Sequence, residues 1–228
     1  HTFRNLIPAG DAQLKLLVLS LVLLTGCASK QVRFMHGAVA ADHQLASEAG
    51  VRILQEGGNA VDAAVATSFT LSVVRPFSCG IGGGGFMLID PPDGEPVALN
   101  YRETAPARVG RDFYKNHNSL IGQDAVGVPG TVAGLLVAHA KYGRLPIGQV
   151  MAPAIEIARN GFIPDKAYRN GVAQAMKTLG RAPESLQATA KAMTRFGQHG
   201  RLVLRGQAMA LEGIAARGRV AFYEGERL

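Results

Sequence analysis

Cys79 heads the stretch Cys79-Gly80-Ile81-Gly82-Gly83-Gly84-Gly85-Phe86. A cysteine can act as a nucleophile, but only as a thiolate beside a base. His36 and His43 are the nearest imidazoles in sequence, and spacing alone does not bring them to it. A lone cysteine among glycines is expected to be a small packed residue. Gly80, Gly82 and Gly85 also satisfy G-x-G-x-x-G. That fingerprint binds a dinucleotide when a helix follows it, so that the helix N-terminus meets the pyrophosphate. Here Phe86-Met87-Leu88-Ile89 follows, which reads as a short buried strand. No Lys-Ser or Lys-Thr follows the glycines, so a phosphate-binding P-loop is excluded. The glycines are expected to serve close backbone packing or positive φ. Arg102 carries a planar fork that matches a carboxylate and can bind it through two parallel hydrogen bonds. Glu103 follows it directly, so residue type leaves a ligand carboxylate and a surface ion pair both open. No His, Cys or carboxylate cluster has metal-ligand spacing, so neither a metal site nor a cofactor is expected.

These residues need elements to hold them. Gly37 to Ala41 reads as a short buried strand, followed by Asp42 as an N-cap. Leu45, Ala49 and Ile53 fall four apart on one face of the next helix, which Gly57-Gly58 stops. A second helix opens at Asn59 and runs to about Val74, where Arg75-Pro76 ends it. It is apolar nearly all round and so belongs in the core. Asp62 is its exception. A carboxylate there needs partners, most simply backbone N–H groups near the helix start, and is read as structural. Phe86 to Asp90 and Pro96 to Arg102 form a hairpin around the turn Pro91-Pro92-Asp93-Gly94. Gly127-Val128-Pro129-Gly130 introduces a helix that carries His139 as a packed or half-exposed residue and closes at Gly143. Further helices are expected over 148–159, 166–179 and 206–217, and 181–205 is the least patterned region.

The chain has 228 residues and a net charge of +7, with Lys and Arg scattered rather than blocked. That pattern reads as a solvated surface and not as a nucleic-acid footprint. Lys15 precedes the apolar stretch Leu16 to Leu24, and Thr25-Gly26-Cys27 follows. A short apolar core behind a positive charge is a secretory signal, too short to span a bilayer comfortably. Leu24-Thr25-Gly26-Cys27 resembles a bacterial lipobox, so Cys27 is the expected lipidation site, with 1–27 as signal peptide and 28–36 as tether. An acylated Cys27 would hold the protein at a membrane surface without a spanning helix. Ala28 suits outer-membrane sorting, so the expected location is the periplasm, anchored to the outer membrane. With Cys27 acylated, Cys79 has no partner and no internal disulfide is expected. The chain opens on His1 rather than Met, which leaves a vector-derived start and a trimmed reading frame both open.

Several separated stretches form an ordered set: Ala41 to Glu48, Gly57-Gly58-Asn59-Ala60-Val61-Asp62, Ser78 to Phe86, Arg102-Glu103-Thr104-Ala105-Pro106, Gly127-Val128-Pro129-Gly130 and Phe222-Tyr223-Glu224-Gly225. In this order they resemble the large-subunit part of γ-glutamyltranspeptidases, closely from Gly37 to Gly161 and more weakly to Leu228. The resemblance implies the N-terminal nucleophile hydrolase fold, an α/β four-layer αββα sandwich, incomplete in this chain, with 37–228 as the large-subunit portion. It implies a precursor that cuts itself, and a small subunit whose new N-terminal Thr attacks the γ-amide of glutathione. Its own α-amine can serve as base. The γ-glutamyl-enzyme then passes its acyl group to water or to an amino acid or peptide acceptor. The small subunit of the same precursor is thereby a partner, along with glutathione and other γ-glutamyl compounds. Arg102 is the residue the resemblance assigns to the α-carboxylate of the γ-glutamyl group. The glycine stretch is expected near the active site, packed between the buried second helix and the central sheet. The family more often has Ser where Cys79 stands.

The chain ends at Leu228 with no Thr-Thr-His or Thr-Thr-Asp type start of a small subunit, so no catalytic residue is expected within it. It is expected to be a fragment of such a precursor or a truncated, inactive one, and to aggregate in isolation. A related cephalosporin acylase or polyglutamate depolymerase stays open, as does a non-catalytic lipoprotein.

Overall fold

The computed structural model describes residues 34–180 and 200–224. Cys27, the apolar stretch before it and most of the poorly patterned 181–205 region lie outside the described residues. The chain divides into two compact units, His1–His36 and Gly37–Leu228. Of the first, Phe34, Met35 and His36 are described, and all three are exposed. No helix among the described residues is long and apolar enough to cross a membrane.

The second unit is mostly helical with a small sheet. Helix α1 spans Gln44–Gln55 and α2 spans Ala60–Val74. A single helical turn, α3, covers Pro76–Cys79, with Pro76 at a first-turn position where its missing N–H costs nothing. The hairpin pairs β1, Phe86–Ile89, with β2, Val97–Asn100, in the register Phe86↔Asn100 to Ile89↔Val97. Helices α4 (Thr131–Tyr142), α5 (Ile147–Asn160), α6 (Lys166–Leu179), α7 (Arg205–Arg217) and the turn α8 (Val220–Tyr223) follow.

α2 is the core helix. Val61, Val65, Phe69, Val73 and Val74 are buried around its whole circumference, with α1 and α5 packed against it. Each such large side chain contributes about 1.5–3 kcal/mol of burial. Its buried hydroxyls are satisfied locally: Thr70 donates to Ala66 O, Ser72 to Phe69 O, and Thr67 to Ala46 O on α1. Asp62 is fully buried and finds the partners expected of it. Its carboxylate accepts from the backbone N–H of Asn59 at 2.9 Å and from that of Arg144 at 3.0 Å. Asn59 completes the capping box by accepting from Val61 N and Asp62 N. His139 is half-buried as expected, its Nε2 2.8 Å from Leu145 O.

Three sequence expectations fail, each for a non-local reason. Gly37–Ala41 is not a strand. No neighbouring strand pairs with it among the described residues, only Val39 and Ala41 are half-buried, and Ala41 N donates to Ser47 Oγ. Asp42 is not the N-cap of α1, because Arg75 takes its carboxylate. His43 caps instead, its Nδ1 accepting from Leu45 N at 3.1 Å. Finally, β1 is not buried. Met87 and Ile89 face the core, whereas Phe86 and Leu88 are 69% and 75% exposed on the other face.

Arg75 locks three elements. Its side chain is only 4% exposed. Nε donates to Asp42 Oδ2, Nη1 to Val74 O and Asp165 Oδ1, and Nη2 to Asp42 O and Asp165 Oδ2. Asp165 in turn caps α6 through Tyr168 N. Its hydrogen bonds with Arg75 hold its carboxyl below the ordinary range.

The His43 cap makes stability pH-dependent. Burial first, then the charge of Arg75, lowers its pKa from 6.5, against the opposing fields of Asp165, Asp42 and Glu48. A protonated Nδ1 cannot accept from Leu45 N. The folded state therefore binds fewer protons than the unfolded one just below pH 6.5, so this contribution is complete above that value and lost as pH falls. The Tm of the full-length protein should fall between pH 7 and 5. His43→Asn, which keeps a capping oxygen, should flatten that part of the curve. An equally steep fall in the variant would remove His43 from the account.

Candidate functional site

The hairpin delivers Arg102. β2 ends at Asn100, and pairing continues one step further, with Tyr101 N donating to Gly85 O at 2.9 Å and Gly85 N to Tyr101 O at 3.3 Å. Arg102 N then donates to Asn100 Oδ1 at 3.0 Å. Two residues on, Thr104 and Val128 exchange backbone hydrogen bonds of 3.2 and 2.8 Å. Arg102 thus stands between two fixed points. The loop between Thr104 and Val128 is tied by its own contacts. Asp124 accepts from Arg108 and lies 2.9 Å from His117 Nδ1, and the His117 ring stacks on Phe113. His117, then Arg108, holds the Asp124 carboxyl below its ordinary range.

The glycine run wraps this segment. Gly83 N closes a turn on Gly80 O, and Gly83 O accepts from Gly130 N at 2.8 Å and Thr131 N at 3.0 Å. A Cβ on Gly84 would lie 2.6 Å from Tyr101 O and 2.7 Å from Glu103 N. A Cβ on Gly130 would overlap Tyr101 O, and one on Gly134 the Tyr101 ring. None of the glycines from Gly80 to Gly85 has positive φ, so closeness and not conformation constrains Gly80, Gly83, Gly84 and Gly85, while Gly82 has open space beside it. Close packing is as expected, but the partner differs. The run packs on Tyr101 to Glu103 and the first turn of α4, because β2 leaves the sheet at that point.

Arg102 is 57% exposed in its side chain, with Nε 3.2 Å from Glu103 Oε2. Its two terminal nitrogens make no hydrogen bond among the described residues and form an open fork. That contact is an ion pair without hydrogen-bond geometry and engages Nε alone, so the terminal nitrogens stay open to a ligand carboxylate. Glu103 was named from the sequence only as a possible ion-pair partner of Arg102, and that ion pair is present. It lies under Gly83 and Gly127, and its Oε2 is buried with no hydrogen-bond partner. Its adjacency to Arg102 was the available signal.

The other candidates are not brought to this site. Cys79 ends α3 as a free thiol, 3.6 Å from Ser78 Oγ, and no imidazole contacts it among the described residues. His43 is committed to its cap and His36 is exposed. Gly85 leads into β1 rather than a helix, which removes the dinucleotide geometry. No group of three or more His, Cys, Asp or Glu that could hold a metal occurs among the described residues. A cleft of about 560 Å³ lined by His43, Arg75, Phe162, Asp165 and Arg201 does not include Arg102. The five donors of Arg75 are all used there, so it offers a ligand none.

Known proteins show the same arrangement of sequence and fold. The chain is 40% identical over 208 residues to the glutathione hydrolase proenzyme of Escherichia coli strain K12, covering 85% of this chain and 35% of that protein. It is 34% identical over 213 residues to the acylase ACY 1 proenzyme of Pseudomonas sp. strain V22, covering 88% of this chain and 38% of that one. The solved structure of Helicobacter pylori gamma-glutamyltranspeptidase superimposes with a TM-score of 0.76 at 35% identity, covering 85% of this chain and 58% of that chain. The chain spans about a third of the length of the curated relatives it matches. A sequence profile described as Gamma-glutamyltranspeptidase matches residues 46–227, which take in the glycine run, Arg102 and Tyr223. On that match this chain belongs to the gamma-glutamyltranspeptidase family.

Proposed function

We propose that this chain is the large-subunit part of a γ-glutamyltransferase, or glutathione hydrolase, and that Arg102 binds the α-carboxylate of the γ-glutamyl donor. The observation that carries this is the open guanidinium fork of Arg102, presented from a braced strand end in a chain of this family. The nucleophilic Thr lies on a segment outside this chain, the small subunit of the same precursor. It attacks the γ-amide of glutathione or another γ-glutamyl compound, and water or an amino acid resolves the γ-glutamyl-enzyme. Arg102 contributes binding and orientation, not bond making. The small subunit completes a four-layer αββα sandwich and covers the exposed Phe86 and Leu88 face of the hairpin. An isolated apolar face and open sheet edges favour aggregation, which supports the need for that partner. The Leu24 to Cys27 stretch supports export to the periplasm with Cys27 lipidated, and with it anchoring to the outer membrane.

The test uses the full-length protein with γ-glutamyl-p-nitroanilide, with 4-aminobutyryl-p-nitroanilide, which lacks the α-carboxylate, and with glutaryl-p-nitroanilide, which keeps that carboxylate and lacks the α-amine. The γ-glutamyl substrate should be much the best of the three. Arg102→Lys keeps the charge and loses the fork, and should raise its KM about tenfold, or ~1.4 kcal/mol, with kcat little changed. An unchanged KM would remove Arg102 from the site. Equal use of the γ-glutamyl and glutaryl substrates would favour an acylase, in line with the similarity to acylase ACY 1.

A further inference from the structure

The Phe222-Tyr223-Glu224-Gly225 motif has no role in the function proposed above, yet Tyr223 reaches across the fold to the site. Helix α4 begins after Gly130, which has no side chain to cap it, so its first N–H groups need outside acceptors. Gly83 O takes Thr131 N, and the Tyr223 hydroxyl takes Ala133 N at 3.1 Å. The same hydroxyl donates to Pro129 O at 2.9 Å. One phenol thereby pins both sides of the Gly130 turn from 90 and 94 residues away. Arg219 sits 5.7 Å over its ring, and Phe222 meets it edge-on, which orients the phenol.

That turn is what holds Arg102. Gly134, next to Ala133, seats the Tyr101 ring, and Gly130 lies against Tyr101 O. Gly130 N and Thr131 N anchor Gly83, whose neighbour Gly84 abuts the Arg102 Cα. We propose that Tyr223 is a positioning residue for substrate recognition: its hydroxyl fixes the first turn of α4, and through Tyr101 and the glycine run it sets where the Arg102 fork points. This inference rests on the α-carboxylate reading of Arg102. It places a determinant of donor binding at the far end of the described chain, in the short helix α8 and away from the hairpin.

The experiment is a double-mutant cycle in the full-length protein, because coupling through a packed network needs direct measurement. Tyr223→Phe keeps the ring and removes both hydrogen bonds. It should raise the KM for γ-glutamyl-p-nitroanilide about fivefold, leave kcat within about twofold, and leave activity on 4-aminobutyryl-p-nitroanilide, which has no α-carboxylate, unchanged. In an Arg102→Lys background the Tyr223→Phe effect should vanish. Loss of equal size on both substrates, or full additivity with Arg102→Lys, would reduce Tyr223 to a structural contact and overturn the proposal. Normal turnover with an unmoved KM in Tyr223→Phe overturns it alone. Absence of turnover on the γ-glutamyl substrate in the wild type overturns the functional reading and this proposal with it. If Tyr223→Phe does not mature, amide exchange in the wild type decides. L-glutamate should slow exchange at Ala133, and should fail to do so in Arg102→Lys, since coupling between two sites is reciprocal. Exchange unaffected by L-glutamate would overturn the proposal.

Discussion

Gly130→Ala in the precursor proposed above is expected to abolish soluble, matured protein. Gly130 has φ −110° and ψ −20°, a conformation open to any residue, so alanine brings no backbone strain of its own. The damage comes from space. The added Cβ would overlap the carbonyl oxygen of Tyr101 and crowd that of Arg102. A flexible side chain could turn away, but a backbone pinned to Gly85 on one side and to the Thr104–Val128 bridge on the other cannot. Relief would require α4 to separate from the hairpin, breaking the Gly83 O contacts and the seat of Tyr101 together. Overpacking at one point costs typically 1–3 kcal/mol, and more where the neighbours cannot shift. Gly82→Ala is the matched control, since nothing lies within 4 Å of its added Cβ. Soluble yield and precursor cleavage on a denaturing gel check both. A Gly130→Ala protein that matures normally would show that the hairpin and α4 are free to separate.

Asp62→Ala is expected to cost about 3–4 kcal/mol, placing it in the severe tail of single substitutions. The fully buried carboxylate accepts from Asn59 N, Arg144 N and Leu145 N. Removing it leaves these N–H groups without an acceptor and takes a negative charge from the N-terminus of α2. Gly143 lies so close that a Cβ added to it would stand 2.7 Å from Asp62 Oδ1, so the α4–α5 connection is shaped around the carboxylate. The Tm of the full-length protein should drop by roughly 10 °C, and Asp62→Asn, which keeps one acceptor oxygen, should lose less. KM for the proposed γ-glutamyl donor should hold in whatever fraction folds, because Asp62 is not at the Arg102 site. A shift in KM with no loss of Tm would instead give Asp62 a functional role.

The division between these two residues shows what a linear chain can disclose. Helix α2 and the inward demand of Asp62 were readable because the pattern repeats locally: apolar side chains on every face, Asn59 three residues before Asp62, and glycines just outside. The ends of α4 at Gly130 and Gly143 were readable in the same way, as was the hairpin turn at Pro91 to Gly94. Arg102 emerged from a motif whose chemistry fits a carboxylate, and the family match extends over it.

Partner choice was decided only in three dimensions. Asp42 and His43 are both able to cap a helix, and the outcome depended on Arg75, 33 residues away from Asp42, claiming its carboxylate. The apolar run Phe86 to Ile89 looked buried because hydrophobicity reports affinity for a core, not which neighbour supplies one. In this chain one face has the helices, and Phe86 and Leu88 on the other have none among the described residues. The glycine run announced close approach but not to what. Tyr101, Gly130 and the hydroxyl of Tyr223 were named only by the fold, because hydrogen bonds between residues 90 positions apart leave no period in the sequence. The sequence by itself determined the family, the core helix and the arginine. The tertiary structure decided how that arginine is held, because holding it takes contacts from segments far apart in the chain.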